Sequence, residues 1–491
     1  MKQLSILTTL LVLFSACSQP IEKKIDITQK FSKELTELKT YFQIPGLAAS
    51  IEKDGKVIYE NYLGVSNKEK KIPLDSTHQF SIASLTKVFS GVLIMKLVEE
   101  GKLSLKTPVK KYFPDSQLDD HILVKHILSH TSQGEVGKHF YYSSRFGALT
   151  KIIEEASGKS FQNYMEETIF HPLKLKNTFL LKDSTQVTSK IAKPYLLDDG
   201  VQKGFIDYGY STSAGVVSNL KDLRIFNQAL DQNTLISETS KKEMFSSEND
   251  QNPYGYGIFN QNINGIKVVW VYGQYDCYSS LLLKVPSQNI TLILLANNNL
   301  MSDPARLIYG DVSTSLFALS FLKNYVFEFR DMNLLETADS LNFKQEPDTD
   351  FYRKKVLAQA LSESFMARYD VKKIQASAQL LEKVFAEYPG YLEYANINLL
   401  HNLTFLKDVA FYRGLGEFNQ FDDQILKIGE KLLEQDSQNP YLHTYMGTFY
   451  DRKGNNKKAK YHFEQIVNAK NFSKNWYTQE AESWLRNNQE N

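Results

Sequence analysis

Ser84 and Lys87 stand three residues apart in the stretch Phe80-Ser81-Ile82-Ala83-Ser84-Leu85-Thr86-Lys87-Val88-Phe89. On a helix this spacing places a hydroxyl and an amine on one face. The apolar series Leu85, Val88, Val92, Met95 and Val98 recurs at intervals of three and four, which predicts a long amphipathic helix, and Gly101 closes it. At the head of such a helix the backbone N–H groups are unpaired and the dipole is positive. Both effects favour an oxyanion on Ser84 and disfavour the ammonium form of Lys87. A neutral amine beside a hydroxyl can act as a general base, so Ser84 is a candidate activated nucleophile. Alone, a Ser-x-x-Lys pair is more often a solvated serine with a surface lysine, and the surroundings must decide.

The surroundings form an ordered series: Ile44-Pro45-Gly46-Leu47, Asp54-Gly55-Lys56-Val57-Ile58-Tyr59, the stretch at 80–87, Leu97-Val98-Glu99-Glu100-Gly101-Lys102-Leu103-Ser104-Leu105, and Tyr112-Phe113-Pro114. This series closely resembles the serine beta-lactamase-like hydrolases, which include class C beta-lactamases, D-alanyl-D-alanine carboxypeptidases, D-aminopeptidases and related esterases. The resemblance runs from about residue 33 to about residue 322. It implies that Ser84 is the nucleophile and Lys87 its base partner.

Phe140-Tyr141-Tyr142-Ser143-Ser144 resembles the family's Tyr-Ser-Asn segment and places Tyr142 where the family has its catalytic tyrosine. A phenol titrates near ~10, and a lysine charge beside it favours phenolate, so ammonium and phenolate are expected to stabilise each other and to titrate jointly. Ser144 stands where asparagine is usual. Its hydroxyl can accept from Lys87 but cannot be amide donor and acceptor at once.

A third segment, Trp270-Val271-Tyr272-Gly273-Gln274, falls where the family has Lys-Thr-Gly or His-x-Gly. By that alignment Val271, Tyr272 and Gly273 line the substrate pocket with Ser144, and Val271 replaces a cationic or imidazole side chain. The backbone N–H groups of Ser84 and Gln274 would form the oxyanion hole, which needs no side chain. Isopropyl cannot hold a carboxylate, so uncharged esters or amides are expected as better substrates than beta-lactams.

Leu128-Ser129-His130-Thr131-Ser132 matches a family segment in which the histidine belongs to a structural turn, so His130 is not assigned to catalysis. His121 and His126 lie nearby, but no zinc-like spacing and no His-Glu-x-x-His is present, so neither metal nor cofactor is expected. The pieces at 156–161, 171–173, 213–218 and 254–257 also resemble the family, and they support the fold rather than the chemistry.

Strand-like runs flank a Lys53-Asp54-Gly55 turn, a hairpin signal. Helical material follows at 84–100 and 146–156, and strand-like runs return at 267–271, 279–285 and 290–296. Strands, then helices, then strands predict an α+β architecture, an antiparallel sheet with packed helices. From about Phe351 the chain turns helical, and Gly447, Tyr450, Gly454, Ala459 and Phe463 fall at the spacing of one tetratricopeptide-like helix pair. Runs at 380–388 and 425–433 resemble second helices of degenerate neighbours. This region is either a plain helical cap on the hydrolase domain or a surface for a protein partner.

At 491 residues more than one core is expected, and a net charge of +1 gives no field for nucleic acid. A small-molecule or cell-wall-derived substrate is the default partner. Met1-Lys2 followed by an apolar run at 4–14 reads as an export signal, too short to span a bilayer. The run ends in Phe14-Ser15-Ala16-Cys17, which resembles a lipoprotein processing site. Lipidation of Cys17 would leave Cys277 without a disulfide partner. The expected organisation is a signal peptide at 1–16, a lipidated tether at 17–32, a hydrolase domain at 33–322, a linker at 323–350 and a helical domain at 351–491. The expected protein is a lipid-anchored serine hydrolase of the bacterial cell envelope, facing the periplasm or exterior. The alternative is a catalytically silent envelope protein that binds through the old pocket and the C-terminal helices.

Overall fold

A computed structural model describes residues 26–488 apart from 117, 250, 251, 347 and 417. The expected signal and Cys17 lie outside the described residues.

Seven antiparallel strands form the central sheet: β1 (Gly46–Lys53), β2 (Lys56–Asn67), β3 (Ile72–Pro73), β4 (Phe259–Ile263), β5 (Ile266–Tyr275), β6 (Tyr278–Val285) and β7 (Ile290–Ala296). Their order is β3-β2-β1-β7-β6-β5-β4, so the first hairpin joins the last strands through the β1–β7 pair. Asp54 and Gly55 both take positive φ, as the expected tight turn between β1 and β2 requires. An antiparallel sheet often shows one face to water. Here β6 and β7 are buried along their whole length, because helices cover both faces.

On one face lies α2 (Thr86–Glu99), directly after a 3-10 turn at Ala83–Leu85 that carries Ser84. Eleven of the 14 residues of α2 are buried. The helix is therefore enclosed all round, not amphipathic as expected, because chain elements pack on the side opposite the sheet. Gly101 has φ +66° and ends it as expected. Helix α3 (Leu149–Ser157) lies against α2 and stops at Gly158, again with positive φ.

The other face carries α1 (Ile27–Tyr41) and α4 (Leu316–Phe321). Beyond them come α5 (Thr349–Met366), α6 (Lys372–Glu387), α7 (Ile397–Tyr412), α8 (Asp422–Gln435), α9 (Pro440–Arg452), α10 (Asn456–Val467) and α11 (Trp476–Asn487). Neighbours pack in pairs, α5 on α6 and α9 on α10. A Cβ on Gly447 would press on the Phe463 ring, so the α9–α10 crossing is close.

One continuous apolar cluster runs from Leu47, Trp270 and Leu292 of the sheet, through Phe31 and Phe317, to Phe351, Leu403 and Phe449 of the C-terminal helices. Residues 323–350 take part in it and are not an open linker. Met332, Leu334 and Phe343 are buried there, and Lys323 is buried in a 2.6 Å ion pair with Glu34 of α1.

Candidate active site

The turn that presents Ser84 is held from three directions. Phe80–Ser81 pairs antiparallel with Val216–Ser218, and the Ile82 N–H continues that pairing by donating to the Val216 carbonyl at 3.0 Å. The Val216 N–H donates to Thr86 Oγ1 at 3.2 Å. From β6, Ser280 Oγ donates to the Ile82 carbonyl at 2.8 Å. Ala83 then takes φ +47°, a left-handed conformation that a non-glycine residue adopts only under tertiary constraint. Strand β5 passes so close that a Cβ on Gly273 would overlap the Ile82 carbonyl oxygen. Glycine is required there by that approach.

Lys87 is 3% exposed. Its Nζ donates to Ser84 Oγ at 3.0 Å and to the Ser213 carbonyl at 3.0 Å. Burial brings the amine down to about 7. It also lies 4.9 Å from the centre of the Tyr142 ring and 5.4 Å from that of Phe146. Tyr142 shares a side-chain hydrogen bond with Ser84, but burial outweighs that bond and raises the phenol above its ordinary value. Burial disfavours the charged form of each group and so works against the expected ammonium–phenolate pair: an amine at about 7 divides between its two protonation states near neutrality, beside a phenol raised above its ordinary value.

The segment carrying Tyr142 is propped by His130. The Ser143 N–H donates to His130 Nδ1 at 2.9 Å, the Tyr141 N–H donates to the His130 carbonyl at 2.9 Å, and the imidazole stacks on the Tyr142 ring with centroids 4.4 Å apart. His130 has φ +55° and is 1% exposed, and burial together with the Lys87 charge holds it well below its ordinary value. It is a neutral turn-former.

Two expectations change, one for a partner of Lys87 and one for a pocket wall. Ser144 is exposed at the start of a 3-10 turn, Ser144–Ala148, and Lys87 donates to Ser84 and Ser213 without it. Val271 is 1% exposed and belongs to the apolar cluster beneath α2, so it is not a pocket wall. Strand alternation is the reason. Val269 and Val271 face α2, while Trp270 and Tyr272 face the other way. Tyr272 is the side chain brought toward Tyr142, with ring centroids 6.1 Å apart.

The backbone donors follow from register. Asn264 and Gly265 form a two-residue hairpin turn with positive φ, which pairs Ile263 with Ile266. Even-numbered residues of β5 therefore turn their N–H groups toward β4. Strand β4 begins at Phe259, opposite Trp270, so the N–H of Gln274 faces an edge that β4 does not cover. The Ser213 carbonyl, Arg145 and Tyr141 are features that sequence reasoning did not assign to the site. A carbonyl acceptor leaves no mark in sequence, whereas a lone arginine three residues after Tyr142 was a readable signal.

Comparison with known proteins bears on the fold that carries this geometry. Protein flp of Staphylococcus aureus strain MW2 is 27% identical over 302 residues, covering 52% of this chain and 60% of that protein. A beta-lactamase of Pseudomonas fluorescens is 27% identical over 223 residues, covering 38% of this chain and 62% of that enzyme. The chain thus spans about three fifths of the length of these relatives. Among solved structures, the octameric penicillin-binding protein homologue from Pyrococcus abyssi aligns with a TM-score of 0.55 at 24% identity, over 67% of this chain and 81% of that one. The D-amino acid amidase of Ochrobactrum anthropi SV3 aligns with a TM-score of 0.51 at 20% identity, over 55% of this chain and 92% of that one. The profile of the Beta-lactamase family matches residues 31–312, more than half of the sequence and all of the Ser84–Lys87–Tyr142 constellation, and the chain belongs to that family.

Proposed function

We propose that this protein is an exported, lipid-anchored serine hydrolase that acylates Ser84 and prefers uncharged esters or amides to beta-lactams. The observation that carries the reading is the buried Lys87 amine, brought down to about 7 and placed 3.0 Å from Ser84 Oγ. In the first step Ser84 Oγ attacks the substrate carbonyl carbon and its proton passes to Lys87 Nζ. The developing oxyanion is met by the N–H groups of Ser84 and Gln274. Collapse expels the leaving alcohol or amine, which takes the proton of the Tyr142 hydroxyl, and Lys87 returns its proton to Tyr142. Water then attacks the acyl carbon, its proton passes to Lys87, and the acid leaves as Ser84 Oγ recovers that proton. Lys87 is the base and Tyr142 the neutral donor, because burial lowers the amine and raises the phenol.

The substrate preference rests on missing charge. The side chain that β5 brings toward Tyr142 is the uncharged Tyr272, not Val271, and Arg306, which lies beside Tyr272, is held to Asp303 at 3.1 Å. A charge-assisted bond to a substrate carboxylate is worth roughly 1.5–3 kcal/mol, or about ten- to more than a hundredfold in rate or affinity. A fluorophosphonate probe is expected to label wild type and not Ser84→Ala, and kcat/KM on a short-chain p-nitrophenyl ester is expected to exceed that on nitrocefin. Equal labelling of both proteins removes the assignment of Ser84, and a preference for nitrocefin removes the carboxylate argument. A second reading, a silent envelope binding protein, draws on the departures at Ser144 and Val271, and it requires that esters, nitrocefin and D-amino-acid amides all give background rates.

A further inference from the structure

The segment 130–146 carries Tyr142 yet has little regular structure, so tertiary contacts set the position of the phenol. His130 supplies them from within the hydrolase region. The rings of Tyr254, Phe259 and Tyr272 flank Tyr142 from the same region, and further ties come from the far end of the chain.

Before Tyr142, the Tyr141 hydroxyl reaches the two carboxylate oxygens of Asp436, just beyond α8, at 2.7 and 2.9 Å. At Tyr142 itself, the Tyr441 hydroxyl of α9 lies 3.5 Å from the backbone carbonyl. After it, one guanidinium joins both ends of the segment to the turn between α10 and α11. Arg145 Nε donates to Ser473 Oγ at 2.9 Å, one terminal nitrogen donates to Asn471 Oδ1 at 3.1 Å and to the Ser132 carbonyl at 2.6 Å, and the other donates to the Asn471 carbonyl at 3.1 Å. The turn answers in kind. Asn471 Nδ2 donates to the Gly134 carbonyl at 2.9 Å, and the Ser473 N–H donates to Gln133 Oε1 at 2.8 Å. Phe472 closes the contact, edge-on to Tyr141 with centroids 5.0 Å apart. Asn471 takes φ +60° to present these groups, a conformation asparagine tolerates better than most residues.

We infer that the C-terminal helices are a working part of the active site: Arg145, through residues 471–473, and Tyr141, through Asp436, are positioning residues that hold Tyr142 in register with Ser84 and Lys87. The inference rests on the hydrolase reading for its catalytic readout and on the structure alone for its dynamic one. Proton transfer demands hydrogen-bond distance, and a displacement of about 1 Å costs on the order of a hundredfold in rate. A planar fork with several fixed donors can pin such a segment where a single ammonium cannot.

The test uses the full-length protein with Arg145→Ala, Arg145→Lys, Asp436→Ala and Asp436→Asn, and with Arg452→Ala as a control. Arg452 pairs with Asp408 inside the helical region, away from Tyr142. Turnover of a p-nitrophenyl ester and hydrogen exchange by mass spectrometry are measured together. Both alanine variants are expected to lose about 10- to 100-fold in kcat with KM within about threefold. Asp436→Asn is expected to recover most of that loss, because its amide oxygen still accepts from Tyr141, while Arg145→Lys does not recover and Arg452→Ala stays near wild type. Peptides spanning 130–146 are expected to lose protection while those of α2 keep theirs. Unchanged exchange over 130–146 in both alanine variants overturns the inference, as does an equal loss in α2, which marks general destabilisation. If wild type neither turns over ester nor labels at Ser84, the hydrolase reading fails, and the exchange comparison still decides the brace.

Discussion

Lys87 is where burial becomes chemistry. In an unfolded chain its amine titrates near ~10.4, whereas the folded site brings it down to about 7. Between these values the unfolded chain binds the extra proton, so stability from this group rises with pH across that window and is flat below about 7. Catalysis needs the neutral amine and follows the same direction. We expect kcat/KM on an uncharged ester to rise through an apparent pKa of about 7 and to fall about tenfold per unit well below it. The raised phenol of Tyr142 predicts no loss on the alkaline side below the ordinary tyrosine range. A pH–rate profile that is flat between pH 5 and 8 removes Lys87 as the base. Cys277, the other ionisable group the sequence left without a partner, is buried, accepts from the Phe205 N–H at 3.4 Å and is pushed up to about 11, so it is an inert core thiol.

At the scale of elements, the proposed catalysis depends on how closely β5 approaches the turn before α2. Gly273 makes that approach possible, and in the proposed mechanism the same approach sets the two oxyanion donors, the N–H groups of Ser84 and Gln274, relative to each other. Gly273→Ala places a methyl group against the Ile82 carbonyl, so either the strand or the nucleophile turn must shift. We expect a stability loss of about 1–3 kcal/mol in urea unfolding, as overpacking usually costs. We also expect a fall in fluorophosphonate labelling of about 100-fold or more, the effect of losing one oxyanion donor. Labelling at the wild-type rate shows that the two donors are not set by this contact. Helix α2 gains its rigidity differently, from burial on all sides, and this is why Lys87, its second residue, can be held 3% exposed.

At the scale of the whole molecule, the hydrolase region and the C-terminal helices share one apolar cluster, and Lys323, Met332, Leu334 and Phe343 seal the passage between them. Inter-domain motion is the default for chains joined by small polar interfaces, whereas this junction combines a shared apolar cluster with the hydrogen bonds of Arg145, Asn471 and Asp436. In the inferred brace the helices form the wall behind Tyr142. Attachment to a membrane is a separate proposal and rests on Cys17. Among the described residues no helix is long and apolar enough to cross a membrane. One acyl chain binds a bilayer only marginally, whereas two or more hold it stably. Cys17→Ala is expected to move the protein from the membrane to the soluble fraction or to block its processing, and a wild-type protein found soluble after export removes the anchor.

Local order was legible from residues alone. The Ser84–Lys87 spacing, the Asp54-Gly55 hairpin, the strand at Ile290–Ala296 and the glycine stops at Gly101 and Gly158 depend on neighbours a few positions away, where backbone preference and apolar period act directly. Tyr142 and the oxyanion partner Gln274 came from family resemblance, since nothing in their immediate spacing marks them. What only the tertiary structure decided is what covers each face. Period gives the faces of a helix or strand but not their neighbours, so α2 read as amphipathic although it is enclosed, and Val271 read as a pocket wall although it points beneath α2. The Ser213 carbonyl that receives Lys87, and the Asp436 carboxylate that receives Tyr141 from 295 residues away, are contacts between groups whose separation is set by the packing of the whole chain. Such contacts have no local signature, because their energy is gained only when distant surfaces close together.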